Sequence, residues 1–414
     1  MKKKKYAEKI IFSITILAMC FLINACGNQE NKSTIVTKNT AVKKDSVPVK
    51  QVSDSIKKIK ISADTNVTID RTFNDIARYI AGMKQESGSD FSDLEKDTAW
   101  IRHAKNFDAA WNLLDSKRIK PMAAWANTEL SSEHQKNLDV FYPLSGPDIL
   151  HGNIFFHEAK NYHLYALERA GALPNLKHLN PSERANYLND IFTSLSDVFK
   201  KSYFITHKML GDLQRENVNG TLPLICVFLV RTHHPIVNVK YFHLNDDGSE
   251  TELNKDSAAV HTNDFVKVYF RNNTNNSMQV VSYMKCDLSD GALAKNKGMM
   301  AWMKNMPTSF TYLKSASYLL HYKFFTLLRN FILDKSASIL EDDTGIPYKY
   351  LTSDKWSVSL YGMYVVPVKD FKGVTQTNLE TAYKDSAKYV KALPFSLGYH
   401  WGTNDQNLIK AERK

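Results

Sequence analysis

Within Phe141-Tyr-Pro-Leu-Ser-Gly-Pro-Asp-Ile-Leu-His151 a hydroxyl, a carboxylate and an imidazole fall in one short segment. A serine becomes a nucleophile when an imidazole takes its proton and a carboxylate orients that imidazole. Ser145, Asp148 and His151 are therefore the candidate catalytic set of a hydrolase. The same spacing has a purely structural explanation. A strand running into a tight turn at Gly146-Pro147, with Ser145 and Asp148 placed as a capping box, would open a helix. That reading needs no chemistry and is preferred, although a helix start also presents amides to phosphate, sulfate or carboxylate. The second candidate is Glu341-Asp-Asp-Thr-Gly-Ile-Pro347. Asp342 and Asp343 offer oxygen ligands to a calcium-like divalent cation, the one cofactor the sequence suggests, but without the alternating spacing of an EF-hand loop. The plain alternative is a solvated turn after a helix, with Gly345 at positive φ.

Other patterns carry less. His233 and His234 are adjacent, so on an extended chain they point opposite ways. Ser282-Tyr-Met-Lys285 matches the S-x-x-K string of penicillin-recognising enzymes, but it sits in a strand-like stretch and no K-T-G follows, so it is set aside. The chain contains no G-x-S-x-G, H-E-x-x-H, Walker or G-x-G-x-x-G motif.

The elements that must position these residues read as a mixture. Trp100, Ala104, Phe107, Trp111 and Leu114 recur at helical spacing and predict a helix over 92–115. Asn180-Pro-Ser-Glu183 carries a cap, a first-turn proline and a capping-box acid, and Tyr187, Ile191, Leu195 and Val198 continue that helix. Leu224–Val230 is continuously apolar and β-branched, which predicts a strand covered on both faces. Residues 237–244, 264–271 and 278–286 alternate, with Asn245–Gly248 and Asn272–Asn276 as turns between antiparallel partners. Thr308–Thr344 lacks glycine and proline and predicts one long helix or two consecutive ones. Lys314, Lys323 and Arg329 interrupt it too often for a membrane span. The class is α+β, a mixed and mostly antiparallel sheet packed with several helices. Residues 71–414 form the body, as one large domain or two intimate lobes.

The N-terminus gives an address. Lys2–Lys5 and Lys9 precede an uncharged run from Ile10 to Ile23, too short to span a bilayer. Ile23-Asn-Ala-Cys26 then resembles the lipobox of bacterial lipoproteins, which implies that residues 1–25 are a signal peptide and that Cys26 is cleaved free and acylated. Gly27 to Thr68 has no aromatic residue and no periodicity, so residues 26–70 read as a lipidated cysteine and flexible linker. Its ~45 residues span roughly 40 Å on average. Of the net charge of +11, four units lie in the signal and four in residues 27–72, leaving about +3 on the body. That is too little for a nucleic-acid partner. Cys226 and Cys286 are either bonded, which an oxidising envelope permits, or buried thiols.

FYPLSGPDILHGNIFF (141–156), YLKSASYLLH (312–321) and LEDDTGIPY (340–348) are similar to a family of exported bacterial proteins of unassigned function. The resemblance covers roughly 95–414. It implies no activity or site residue, only that both candidate segments share one body. The expectation is an envelope lipoprotein, anchored in the outer membrane and facing the periplasm because no strong acidic run follows Cys26. It would bind a glycan, an envelope protein or a small ligand. A hydrolase using Ser145, Asp148 and His151, or a metal at Asp342 and Asp343, is the alternative.

Overall fold

A computed structural model describes residues 68–204, 218–254, 264–364, 367–368, 371, 373–402 and 406–414. The signal segment, Cys26 and the linker up to residue 67 lie outside the described residues. In chain order, helices α1 (Arg71–Ile80), α2 (Thr98–Leu114) and α3 (Lys120–Glu129) lead to strand β1 (Val140–Tyr142). Helix α4 (Ile149–Phe155) connects to β2 (Asn161–Ala166), and α5 (Pro181–Lys201) and α6 (Leu222–Arg231) follow. Next come β3 (Ile236–Leu244), β4 (Glu250–Glu252), β5 (Phe265–Arg271) and β6 (Met278–Lys285). Then α7 (Lys297–Asn305), β7 (Ser309–Leu313), α8 (Thr326–Lys335) and β8 (Ser336–Glu341) run in sequence. Finally, β9 (Trp356–Gly362), α9 (Thr377–Asp385) and β10 (Asn407–Arg413) complete the chain.

Among the described residues the ten strands form one sheet in the order β4-β3-β5-β6-β2-β1-β7-β8-β10-β9. The class is α+β and the sheet is mixed. Its flanks are antiparallel, but β6, β2, β1, β7 and β8 run parallel in the middle. This arrangement puts a topological switch at the centre. From β1 the chain crosses through α4 to β2 on one side, and from β7 it crosses through α8 to β8 on the other. Right-handed crossovers in opposite directions put their helices on opposite faces. The packing agrees: Ile149, Leu150 and Phe155 of α4 join one hydrophobic core, whereas Leu328 and Ile332 of α8 join the other. Alternate strand residues divide likewise, Tyr312 to the first core and Leu313 to the second.

Local signals worked where they were self-sufficient. Asn180 accepts from the amides of Ser182 and Glu183, Glu183 answers Asn180, and α5 buries Tyr187, Ile191, Leu195 and Val198. The 92–115 helix splits into a 3-10 turn (Ser92–Lys96) and α2, then runs through a π-turn at Asp115–Ile119 into α3. β3, β5 and β6 fall where expected: β5 and β6 pair antiparallel across Asn272–Asn276, whereas Asn245–Gly248 joins β3 to the short β4, and β3 pairs antiparallel with both β4 and β5.

Two expectations are overturned. Leu224–Val230 is not a strand but most of α6, all ten residues of which are buried. A helix covered on every side has no polar stripe, so its apolar run mimics a buried strand. Thr308–Thr344 is not continuous helix either; it holds β7, α8 and β8. The breaks are hidden because Ser315, Ser317 and Tyr318, rather than glycine, take positive φ. Cys226 and Cys286 are free and buried in different cores, so the disulfide is not formed.

Entry to α6 is fixed by a close backbone crossing. The amides of Ala172, Thr221 and Leu222 bond to the carbonyls of Asn219, Arg169 and Ala170 at 2.9, 3.1 and 2.8 Å. Gly171 (φ 73°) and Gly220 (φ 79°) face each other there. A Cβ on Gly220 would lie 2.5 Å from the Ala170 oxygen and 2.6 Å from the Gly171 Cα. Gly220→Ala should therefore cost about 3 kcal/mol or more in denaturant unfolding, since it adds a backbone clash to positive-φ strain. A loss under about 1 kcal/mol would show that the crossing is not rigid.

Candidate functional site

The loops leaving the carboxyl ends of β1 and β7 diverge, and it is there that open α/β sheets hold ligands. Tyr142 ends β1, and its hydroxyl donates to Asp148 Oδ2 at 2.8 Å. Lys314 follows β7, and its Nζ donates to Asp148 Oδ2 at 2.6 Å and to the Ser202 carbonyl at 2.6 Å. His151 Nδ1 lies 2.7 Å from Asp148 Oδ1. Two acceptors do not sit so close without a proton between them, so we assign that proton to Nδ1. Lys314 Nζ, 3.0 Å from the same nitrogen, is then a neighbour of the imidazole and not its donor. Asp148, His151 and Lys314 are at most 5% exposed.

Asp148 rather than Ser145 caps α4, accepting from the His151 amide at 3.3 Å. The expected capping box is thus displaced by three residues. Ser145 Oγ donates to the carbonyls of Gly146 and Tyr165 at 3.0 and 3.4 Å. The candidate triad is therefore half assembled: Asp148 and His151 pair, while the Ser145 hydroxyl bonds to backbone instead of imidazole.

The end of α5 completes the charge pattern. Ser202, its left-handed C-cap, receives Lys314 on its carbonyl, and its Oγ accepts from Arg118 Nη1 at 2.7 Å. Arg118 sits in the π-turn after α2 and also reaches the Lys200 carbonyl at 2.6 Å. Two cations thus meet the negative end of a helix. Burial pushes the Asp148 carboxyl up, but His151 and Lys314 overcome it and hold the group well below the carboxylate range. Burial pulls His151 and Lys314 down, with Asp148 opposing in both.

Asp342 and Asp343 stand at the end of β8, beside β7, and not at a helix end or in a solvated turn; they are 2% and 1% exposed. Asp342 Oδ2 accepts from the Ser315 amide at 2.9 Å, and Oδ1 from the amide (3.1 Å) and hydroxyl of Thr344. Asp343 Oδ2 accepts from the Tyr318 hydroxyl at 2.5 Å. Its Oδ1 meets His400 Nε2 and Asn407 Nδ2, each at 3.2 Å. All four carboxylate oxygens face N–H or O–H donors, the reverse of what a cation needs. Among the described residues no group of three His, Cys, Asp or Glu side chains could hold a metal ion. Gly345 does not take positive φ; it is small because a Cβ would strike the Glu341 carboxylate.

The two candidate segments therefore converge, with Ser315 next to Lys314 as the link. Gly398 presses on the junction: a Cβ there would lie 2.7 Å from Asp342 Oδ2 and 2.9 Å from Ser315 Oγ. Strain gathers here too. Of eight non-glycine residues with positive φ among the described ones, Leu144, Ser202, Ser315, Ser317 and Tyr318 belong to these loops. Above them lies an aromatic layer. Tyr399 bonds Ser317 Oγ at 2.7 Å and the Ser315 carbonyl at 3.1 Å. Its ring meets Tyr203 at 4.8 Å and Phe371 at 5.3 Å. Tyr203 and Tyr399 are half-buried, and Trp401 is 37% exposed.

Sequence reasoning missed Lys314, Tyr142, Tyr318, His400 and Asn407. Only Lys314 left a trace, as a lone charge inside an apolar run.

Lys314→Met should cost about 3–5 kcal/mol by leaving the Asp148 charge unpaired, and adding Asp148→Asn should return part of it. Purely additive losses in that double-mutant cycle would deny the pairing. Burial, then Asp343, raises Asp342 from 3.8 to about 6. The folded chain then binds more protons than the unfolded one, so stability falls as pH rises from about 4 to about 6. Asp342→Asn should shrink that fall by up to about 3 kcal/mol; an unchanged pH profile would place the proton elsewhere.

Compared with known protein families, curated proteins and solved structures, the chain matches none of them.

Proposed function

We propose that this protein is a lipid-anchored envelope protein, tethered through Cys26 on the periplasmic face of the outer membrane, whose body binds an envelope glycan. The observation that carries the binding role is the Tyr203–Tyr399 layer, half-exposed above the buried Lys314–Asp148 pair at the sheet's switch point. Aromatic faces stack against the C–H faces of sugar rings, and Ser317 and Tyr399 place hydroxyls beside them. Binding is favoured over hydrolysis because Ser145 lacks the contact with His151 that would activate it. The anchor is supported by the basic, apolar and Ala25-Cys26 succession at the N-terminus.

Two measurements test this reading. Wild-type protein should take up labelled palmitate and fractionate with outer membranes, whereas Cys26→Ala should be unlabelled and released. A labelled, membrane-bound Cys26→Ala would remove the anchor. In a thermal-shift screen of the detergent-solubilised chain, soluble peptidoglycan fragments or envelope oligosaccharides at about 100 times their Kd should add ~2.7 kcal/mol. Tyr203→Ala, which removes one ring of the layer, should weaken that binding about tenfold with little change in the unliganded Tm. No shift with any glycan would overturn the binding proposal.

A further inference from the structure

Away from the switch point, α1, residues 88–91 and the loop 172–177 enclose a cleft of about 530 Å³. Phe73, Ile76, Phe91, Leu173, Leu176 and Tyr241 line it together with Arg71, Asp90, Asn175 and Lys177. Asp75 lies in this wall, 5% exposed, and its Oδ1 is buried with no donor in reach. An ionised carboxylate held this way loses hydrogen bonds that water would supply. The basic side chains nearby are engaged elsewhere. Lys177 pairs with Asp90 at 2.6 Å, and Arg71 donates to the Ser87 carbonyl at 3.3 Å. Arg78, one turn along α1, donates to the Lys84 carbonyl at 3.0 Å and pairs with Glu86 at 3.5 Å. Beyond its helix Asp75 is held through its backbone, whose carbonyl accepts from Gln85 Nε2 at 3.1 Å.

We propose that this cleft binds a small organic ammonium ion, its N–H donating to Asp75 and its apolar body lying against Phe73, Phe91 and Tyr241. The volume suits a small molecule, and apolar and aromatic side chains with a few placed polar groups are the usual lining of such sites. A cation answers both features of the wall. It supplies the donor and charge that Asp75 lacks, and aromatic faces attract it through their quadrupoles. The Phe91 ring already does this for Lys177, whose Nζ is 5.8 Å from the ring centre. A neutral hydroxyl would satisfy the hydrogen bond and leave the charge unanswered. The site shares no residue with the glycan surface, so the two proposals stand or fall separately.

Isothermal titration of the detergent-solubilised full chain at pH 7 with 2-phenylethylamine and its neutral isostere 2-phenylethanol tests the proposal. The amine should bind at least about tenfold more tightly than the alcohol. Asp75→Asn should weaken the amine about tenfold or more and leave the alcohol unchanged. If Asp75→Asn does not fold, Phe73→Ala, in the half-buried wall, should weaken the amine several-fold with Tm nearly preserved. Trp401→Ala, outside the cleft lining, should leave amine affinity unchanged. Absence of amine binding to wild type, equal affinity for the alcohol, or full amine affinity in both cleft variants would overturn the proposal.

Discussion

An ammonium group from the end of β7, held between the Asp148 carboxylate and the last carbonyl of α5, is the contact on which the centre of this molecule depends. Placing Lys314 there is costly, because a buried charge loses its hydration and a lone partner seldom compensates. The surroundings compensate collectively. Tyr142, the His151 ring and the His151 amide all donate to the same carboxylate, and Arg118 shares the helix end. An apolar side chain could fill the gap between the diverging loops. It would leave the carbonyl of Ser202 without a donor at a helix terminus that has none of its own.

The neighbouring acids show how far position sets ionisation. Asp148, with a cation and two imidazole-side donors, is held strongly ionised. Asp342, with amide and hydroxyl donors but a second carboxylate beside it, is raised to about 6. Glu341, whose burial is opposed by one backbone amide and whose Oε1 has no partner, is pushed far higher. Three buried acids, one capping α4 and two at the end of β8, thus span a wide range of proton affinity. The backbone around them takes positive φ at five non-glycine positions, and at one of these, Ser315, the amide is held by the Asp342 carboxylate.

Much of the architecture was legible wherever the signal was local. A capping box closes within four residues, so α5 needed no tertiary information. Asparagine-rich turns mark the β5–β6 hairpin because asparagine satisfies the turn backbone itself. The reading failed where burial removed the periodicity, in α6, and where the turns used serine and tyrosine in place of glycine, after β7. The candidate site was half legible for the same reason. The 141–151 and 341–347 segments stood out as dense polar chemistry, yet the capping box was misplaced because Ser145 and Asp148 are partners in spacing only. Lys314 was visible merely as an interruption.

By itself, the sequence determined an α+β body and the identity of the acids and histidine that form its polar centre, and it carries the N-terminal pattern on which the proposed anchor rests. Those follow from composition, hydrophobic patterning and short-range capping, all properties of contiguous residues. Only the tertiary structure decided that the sheet is parallel at its middle and that β1 and β7 are neighbours across 170 residues of chain. It also decided that Lys314, not Ser145, answers Asp148. Those outcomes rest on strand pairing and on the charge balance of a dry interior. Both are set by which loops meet in space, and no window of sequence contains that information.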